Sequence, residues 1–247
     1  MIRVWVDHLP KEDESVILCA SEHHHLTNVR RVVKDAGLEV LDGKGGLARA
    51  NILECSRKRT VLKITERLSE ARESPLALHL GLALPHQKST LEEMLPALVQ
   101  LGVTHLHLVE TKFSGRVKGA VGKFMDRLSH IGLQALKQCG RLHLPVLNQP
   151  DTFDRVAEAL IALSDRAIIF HPDPGGSPQK QALEKVSRLA MLVGPEGGFE
   201  EDEWRQAVAM KWESMGLGPR VLRMETAAIG ACFWAQSKYG DFYQLGS

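Results

Sequence analysis

The sequence has no apolar run approaching the roughly 18 residues that a bilayer-spanning helix needs, so it holds no candidate membrane helix. Residues 1–10 include Arg3, Asp7 and His8 and no apolar stretch, so they do not read as a secretory signal. Cysteine is scarce and scattered. Cys19, Cys55, Cys139 and Cys232 form no C-x-x-C pair, which argues against a disulfide framework and against a cysteine zinc site. The cytoplasm is the expected compartment. There is no G-x-x-x-x-G-K-[ST] loop, no G-x-G-x-x-G after a strand and no G-x-S-x-G elbow. P-loop, dinucleotide-binding and serine-hydrolase readings therefore lose their usual marks.

What is present is ordinary for a globular protein: 247 residues, 44% hydrophobic and 25% charged, enough for one large domain or two small ones. The formal net charge of +1 hides a gradient. Residues 112–141 carry seven basic side chains against one acid, Asp126, whereas residues 147–247 carry 10 basic and 14 acidic ones. A basic middle beside an acidic end suggests a polyanion met on one face, although a solvated charged face gives the same pattern.

Short strands are expected over residues 3–6, 15–19, 38–41, 48–55 and 60–65, with a short helix at 24–33 and a turn at Asp42-Gly43. This predicts a small β-rich domain, a compact barrel, over residues 1–70, ending near a polar Ser-Pro stretch. From residue 75 the pattern alternates. Strands are expected at 76–84, 105–109, 166–170, 189–193 and 220–223, with another beginning at 145–147, and helices at 89–101, 118–139, 152–164, 200–210 and 227–239. Ser89 and Glu92 have the spacing of a capping box. In the helix at 118–139, Val121, Phe124, Leu128 and Ala135 mark an apolar face, while Lys123, Arg127 and Lys137 fall opposite. Cys139 lies with the apolar set and reads as core. The alternation predicts an α/β domain over residues 75–247 with a mostly parallel sheet.

Three glycine- or proline-rich loops follow apolar strands in the last third, at residues 171–176, 194–198 and 216–219. Ligands of open α/β sheets bind beyond the carboxyl ends of strands, and glycine lets backbone approach them closely. The second loop leads into Glu200, Glu201, Asp202 and Glu203, which would occupy the positive end of a helix dipole and repel an anion. A ligand with a cationic centre and an adenosine moiety suits such a site, S-adenosylmethionine being one. The segment Arg220-Val221-Leu222-Arg223-Met224-Glu225-Thr226 brings two arginines and a glutamate to a helix start, with Thr226 placed to cap it. Arg223 could hold a phosphate or carbonyl oxygen, and Glu225 could accept a proton or bind an amino group. A surface ion pair beside a capped helix is the plainer alternative. The His23-His24-His25 tract resembles a metal site, but adjacent side chains point apart. His105 and His107 share a strand face with no third ligand in view. No metal is expected.

The stretch Leu192-Val193-Gly194-Pro195-Glu196-Gly197-Gly198-Phe199, followed by Leu217-Gly218-Pro219-Arg220-Val221-Leu222-Arg223-Met224-Glu225-Thr226-Ala227-Ala228, closely resembles the RsmE family of 16S ribosomal RNA uridine N3-methyltransferases, of the SPOUT class. Gln138-Cys139-Gly140-Arg141 and the His24-His25-Leu26 to Arg31 segment match further family motifs. The resemblance implies a PUA-like barrel that helps bind RNA and an α/β domain with a trefoil knot. It also implies a homodimer that methylates 16S ribosomal RNA of the small ribosomal subunit. S-adenosylmethionine would be held by Leu192, Gly194, Glu196, Gly197, Leu217, Gly218, Leu222, Met224, Thr226 and Ala227. Arg223 and Glu225 would be catalytic. Arg30, Arg31, Lys112, Arg116, Lys123, Arg127 and Arg141 would contact RNA. The sequence departs from the family pattern at Ala97-Leu98-Val99-Gln100 and Thr111-Lys112-Phe113-Ser114, on the RNA-facing strip. A SPOUT enzyme acting on another RNA or base position, and an RNA-binding homologue without activity, share the same donor motif.

Overall fold

The computed structural model describes residues 2–29, 37–117, 119–171 and 185–242. The chain forms two compact units, one of residues 1–73 with 133–144, the other of residues 74–132 with 145–247.

The first unit is built on a five-stranded sheet. Strands β1 (Ile2–Trp5), β2 (Ser15–Ile17), β3 (Leu38–Leu41), β4 (Leu47–Cys55) and β5 (Thr60–Leu68) are ordered β1-β3-β4-β5-β2. β1 pairs parallel to β3, and the other pairs are antiparallel. The β3–β4 turn forms as the sequence predicts. Asp42 Oδ1 accepts the N–H groups of Lys44 and Gly46, both at 2.8 Å, while Gly43 and Gly45 take positive φ values of 68° and 100°. Alternate strand residues, among them Val4, Val40, Ala50, Ile52, Leu62 and Ile64, form the core. β5 runs on through Glu66 to Leu68, where a polar boundary was expected. The expected helix at 24–33 is instead helix α1 (Ala20–His24) continued by a π-helical turn at His25–Val29, with the rest outside the described residues.

The second unit carries a six-stranded sheet in which each strand pairs parallel to its neighbours. Its strands are β6 (Ala77–Ala83), β7 (Val103–Glu110), β8 (Val146–Thr152), β9 (Arg166–Phe170), β10 (Arg188–Val193) and β11 (Glu213–Met215), in the order β11-β9-β10-β6-β7-β8. The central strands are apolar on both faces, as strands covered by helices must be. The helices are α2 (Lys88–Gln100), α3 (Val121–Cys139), α4 (Phe153–Leu163), α5 (Glu201–Ala209) and α6 (Met224–Tyr239). The chain moves outward from β6 through β7 to β8, then returns on the other side, where β10 lies against β6. The carboxyl ends of β6 and β10 therefore meet at a topological switch point, where doubly wound sheets open a crevice.

Several local expectations are corrected. α2 begins after Gln87 with no side-chain cap, so Ser89 and Glu92 lie inside the helix. Residues 220–223 form no strand, and the short strand comes earlier, at Glu213–Met215. Lys137 lies on the polar side of α3 by periodicity, yet it is buried. Its ammonium meets the buried Glu22 carboxylate at 2.5 Å, and Glu22 also accepts the Trp5 N–H at 3.0 Å. Cys139 is only half-buried.

Candidate active site at the carboxyl ends of the parallel strands

The six parallel strands end on the same side of the sheet, and the loops after β6, β7, β9, β10 and β11 build the site. The loop after β10 contains Gly194-Pro195-Glu196-Gly197-Gly198, and Gly198 has φ 75°, a left-handed value suited to glycine. It runs into α5, whose start is closed by a capping box between Glu200 and Glu203. The acidic residues thus sit at the helix start, as the sequence suggests, and Glu203 also accepts the Lys112 N–H at 2.8 Å. The loop after β11 passes Leu217 and Gly218 (φ 103°) to Arg223, the N-cap of α6. Thr226 is therefore inside the first turn and does not cap it.

These loops and the end of β9 enclose a cavity of about 210 Å³. Of the residues expected to hold the donor, Gly194, Glu196, Gly197, Leu217, Gly218, Leu222, Met224 and Ala227 line it. Leu192 and Thr226 are not on its wall. The Leu192 side chain is fully buried in the core with Leu160 and Phe153, because its alternation along β10 turns it toward α4. Thr226 is exposed on α6. Phe170, Val193, Pro195, Gly198, Phe199, Arg220 and Val221, which the sequence did not assign to the donor site, also line the wall. Phe170 and Val193 are signalled by their position at strand ends and Phe199 by its place next to a loop glycine, whereas Arg220 and Val221 carry no such signal. His171, at the start of the first glycine- and proline-rich loop, also lines the cavity, whereas residues 172–176 of that loop lie outside the described residues.

The lining fits an adenosyl ligand with a cationic sulfur. Phe170, Val193 and Leu222 offer apolar surface, and Glu196 supplies a carboxylate. The buried His171 Nδ1 has no hydrogen-bond partner among the described residues, leaving bonding capacity in the wall. A Cβ on Gly194 would stand 3.2 Å from the Gly198 carbonyl carbon and the Phe199 nitrogen, so a side chain there would press on the loop's own backbone where it folds on itself.

A second cavity of about 490 Å³ adjoins the first, sharing Glu196, Val221, Leu222 and Met224 with it. It adds Arg223 and Glu225, the expected catalytic pair, together with His86. Arg223 is exposed and Glu225 half-buried, and neither side chain has a hydrogen-bond or ion-pair partner among the described residues. The plainer alternative, a surface ion pair beside a capped helix, is thus not what forms.

The residues expected to contact RNA are placed unequally. Lys123 is exposed on α3. Arg127 is exposed but pairs with Glu92 at 2.5 Å, which raises its pKa. Lys112 pairs with Glu200 at 2.5 Å, and this pairing raises its pKa too. Arg116 folds back onto the Thr111 carbonyl at 3.1 Å and the Ser114 hydroxyl at 3.0 Å. Arg141 is a correction. Its side chain is only 7% exposed and is held by Glu73 at 2.8 Å, so it braces the first unit and offers no phosphate contact. Arg30 and Arg31 lie outside the described residues.

Residues 72–236 match the RNA methyltransferase domain family, and residues 18–65 match the RNA methyltransferase PUA domain family. The ribosomal RNA small subunit methyltransferase E of Synechocystis is 31% identical over 87% of this chain and 70% of its own length. A methyltransferase of Legionella pneumophila, solved with bound S-adenosylmethionine, is 29% identical with a TM-score of 0.89, covering 98% of this chain and 99% of that one. The ribosomal RNA small subunit methyltransferase E of Neisseria gonorrhoeae, also bound to S-adenosylmethionine, is 27% identical with a TM-score of 0.87 over the same shares.

Proposed function

The chain belongs to the ribosomal RNA small subunit methyltransferase E family, and on that premise we propose that it methylates N3 of a uridine in 16S ribosomal RNA of the small ribosomal subunit. The observation that carries this reading is the pair of adjoining cavities at the switch point, one lined by the glycine loops and the other by Arg223 and Glu225, unpaired among the described residues. S-adenosylmethionine bound in the first cavity supplies an electrophilic methyl group on a sulfonium.

The protein must then present the nucleobase, take up its N3 proton and stabilise the charge left behind. Arg223 is placed to face a uracil oxygen where negative charge develops. Glu225, one residue beyond Met224 on the helix, is placed to orient the base edge. Glu196 stands on the wall common to both cavities and favours a cationic centre there. Main chain at Gly194, Gly197, Leu217 and Leu222 forms the donor cradle. Lys112, Arg116, Lys123 and Arg127 present positive charge to RNA phosphates, and the first unit serves as the PUA-like RNA-binding module. The motif resemblance further supports a trefoil knot, a homodimer, a cytoplasmic setting and a reaction without metal. Transfer of labelled methyl from S-adenosylmethionine to small-subunit RNA tests the reading. The native protein should label the RNA, and Arg223→Ala should bind donor normally yet label it at roughly a hundredth of the rate or less. Equal labelling by the variant would remove Arg223 from the mechanism.

A further inference from the structure

The central strand β6 ends at Ala83, and the chain then turns through Pro85 and His86 toward α2. Family motifs do not draw attention to this turn, yet His86 lines two cavities that adjoin the donor cavity. It lines the one that holds Arg223 and Glu225 and also a shallow one of about 480 Å³ with Lys112, Phe113 and Gly197. Both adjoin the donor cavity, through Glu196 and Gly197 respectively.

The main chain of this turn is held from two sides. The His86 N–H donates to Glu196 Oε1 at 3.3 Å. The Gly115 N–H donates to the Leu84 carbonyl at 2.8 Å, and a side chain at 115 would run into the Pro85 carbonyl. The imidazole itself is exposed and has no hydrogen-bond partner among the described residues. A ring free to bond thus stands on a fixed stem beside the donor cavity.

We propose that His86 accepts the N3 proton of the target uracil. This rests on the functional reading above and deepens it. The groups facing His86 are Glu196 from the loop after β10, Lys112 from the loop after β7, and Arg223 and Glu225 from the start of α6. Arg223 cannot give up its proton. Lys112 is held protonated by Glu200. Glu196 is engaged by the His86 main chain. A neutral imidazole has a nitrogen lone pair that can accept a proton. In the reaction the N3 proton passes to the imidazole and leaves its electron pair on N3. That pair forms the N–C bond to the methyl group as the C–S bond breaks, its electrons remaining on sulfur as a neutral thioether. The imidazolium then releases the proton to water.

The test measures 3-methyluridine formation on unmodified small subunits across pH, for native protein, His86→Gln, His86→Ala and Glu225→Gln. The expected result is a kcat lower by roughly 100-fold or more in both His86 variants, with KM and donor Kd within about threefold of native. The acidic limb of the native pH profile should vanish in both His86 variants and persist in Glu225→Gln. Added imidazole should restore part of the His86→Ala rate and none of the Arg223→Ala rate. A native-like kcat in the His86 variants overturns the inference. So does a loss of rate that retains the acidic limb and resists imidazole, which would make His86 a positioning residue. Failure of the native protein to form 3-methyluridine overturns the functional reading itself.

Discussion

Arg223 and Lys137 show how differently two cations of one chain are used. Arg223 is exposed at the start of α6 with no side-chain partner among the described residues, in a cavity next to the donor loops, and so retains its charge for a ligand. Lys137 is buried and bound to Glu22, so it serves the fold. Lys137→Ala would leave the Glu22 carboxylate buried and uncompensated. We expect a loss of about 3–5 kcal/mol of stability in denaturant titrations, with donor binding unchanged in the surviving native fraction. Lys123 provides the contrast on the same helix. Lys123→Ala should leave stability unchanged, weaken RNA binding and lower the salt slope by about one, whereas Arg141→Ala should lower stability and leave the slope intact. Helical periodicity alone could not separate these cations. It places Lys123, Arg127 and Lys137 on one polar side, but the partner that buries Lys137 comes from a residue 115 positions away in sequence.

At the scale of elements, the parallel strands were the most legible part. β9 begins and ends where its apolar run does, and β6, β7 and β10 differ by a residue or two, whereas the edge strand β11 was not anticipated. A strand covered on both faces leaves a continuous apolar run that few other environments produce. The segment before α6 was less legible. Its alternation of Val221 and Leu222 with arginines resembles a strand, yet Val221 is 90% exposed and the segment lines two cavities. Exposure of apolar residues at a ligand site defeats a rule that assumes burial. Thr226 failed as a cap for a related reason. Met224 is buried, and Arg223 takes the extended N-cap conformation, so the helix starts two residues ahead of the polar side chain. The loops after β6 and β7 are pressed together at Gly115 and Pro85, which makes a further prediction. Gly115→Ala should lower stability by about 1–3 kcal/mol through overpacking and should displace the His86 turn. Methyl transfer should therefore fall more than donor binding, as activity assays beside calorimetry can show.

On the scale of the whole molecule, the two units are stabilised by different titrating groups. In the second unit, His79, His105 and His107 stack on one face of the sheet, with His79 and His105 ring centroids 4.2 Å apart. Burial, followed by mutual repulsion, pushes His79 and His107 down to about 4, and burial also lowers His105. Because folding depresses these pKa values, the neutral rings are tolerated in full above about pH 6.5, and stability is lost as pH falls from there toward 4. In the first unit, hydrogen bonds from Arg72 and then Arg3 hold Glu39 down to about 2 despite its burial. That contribution is present above pH 4.5 and is lost as pH falls toward 2. The second unit should therefore loosen first on acidification. Trp5 lies in the first unit and Trp204, Trp212 and Trp234 in the second, so tryptophan fluorescence with Trp5→Phe can follow the second unit alone. Replacing His79 and His107 with Leu should flatten the loss between pH 6.5 and 4, and an unchanged profile would remove the histidines as its cause. None of this was visible in the sequence, which showed His105 and His107 on one strand face but not the neighbouring strand that brings His79 beside them. The shared switch point of β6 and β10 is likewise a property of the assembled sheet. The central claim is that this crevice performs N3 methylation of a ribosomal uridine. Its most direct test is nucleoside analysis of small-subunit RNA after incubation of unmodified subunits with the protein and labelled S-adenosylmethionine. Label is expected in 3-methyluridine; label in a different nucleoside, or none while the donor binds, would mean that the crevice does not carry out this reaction.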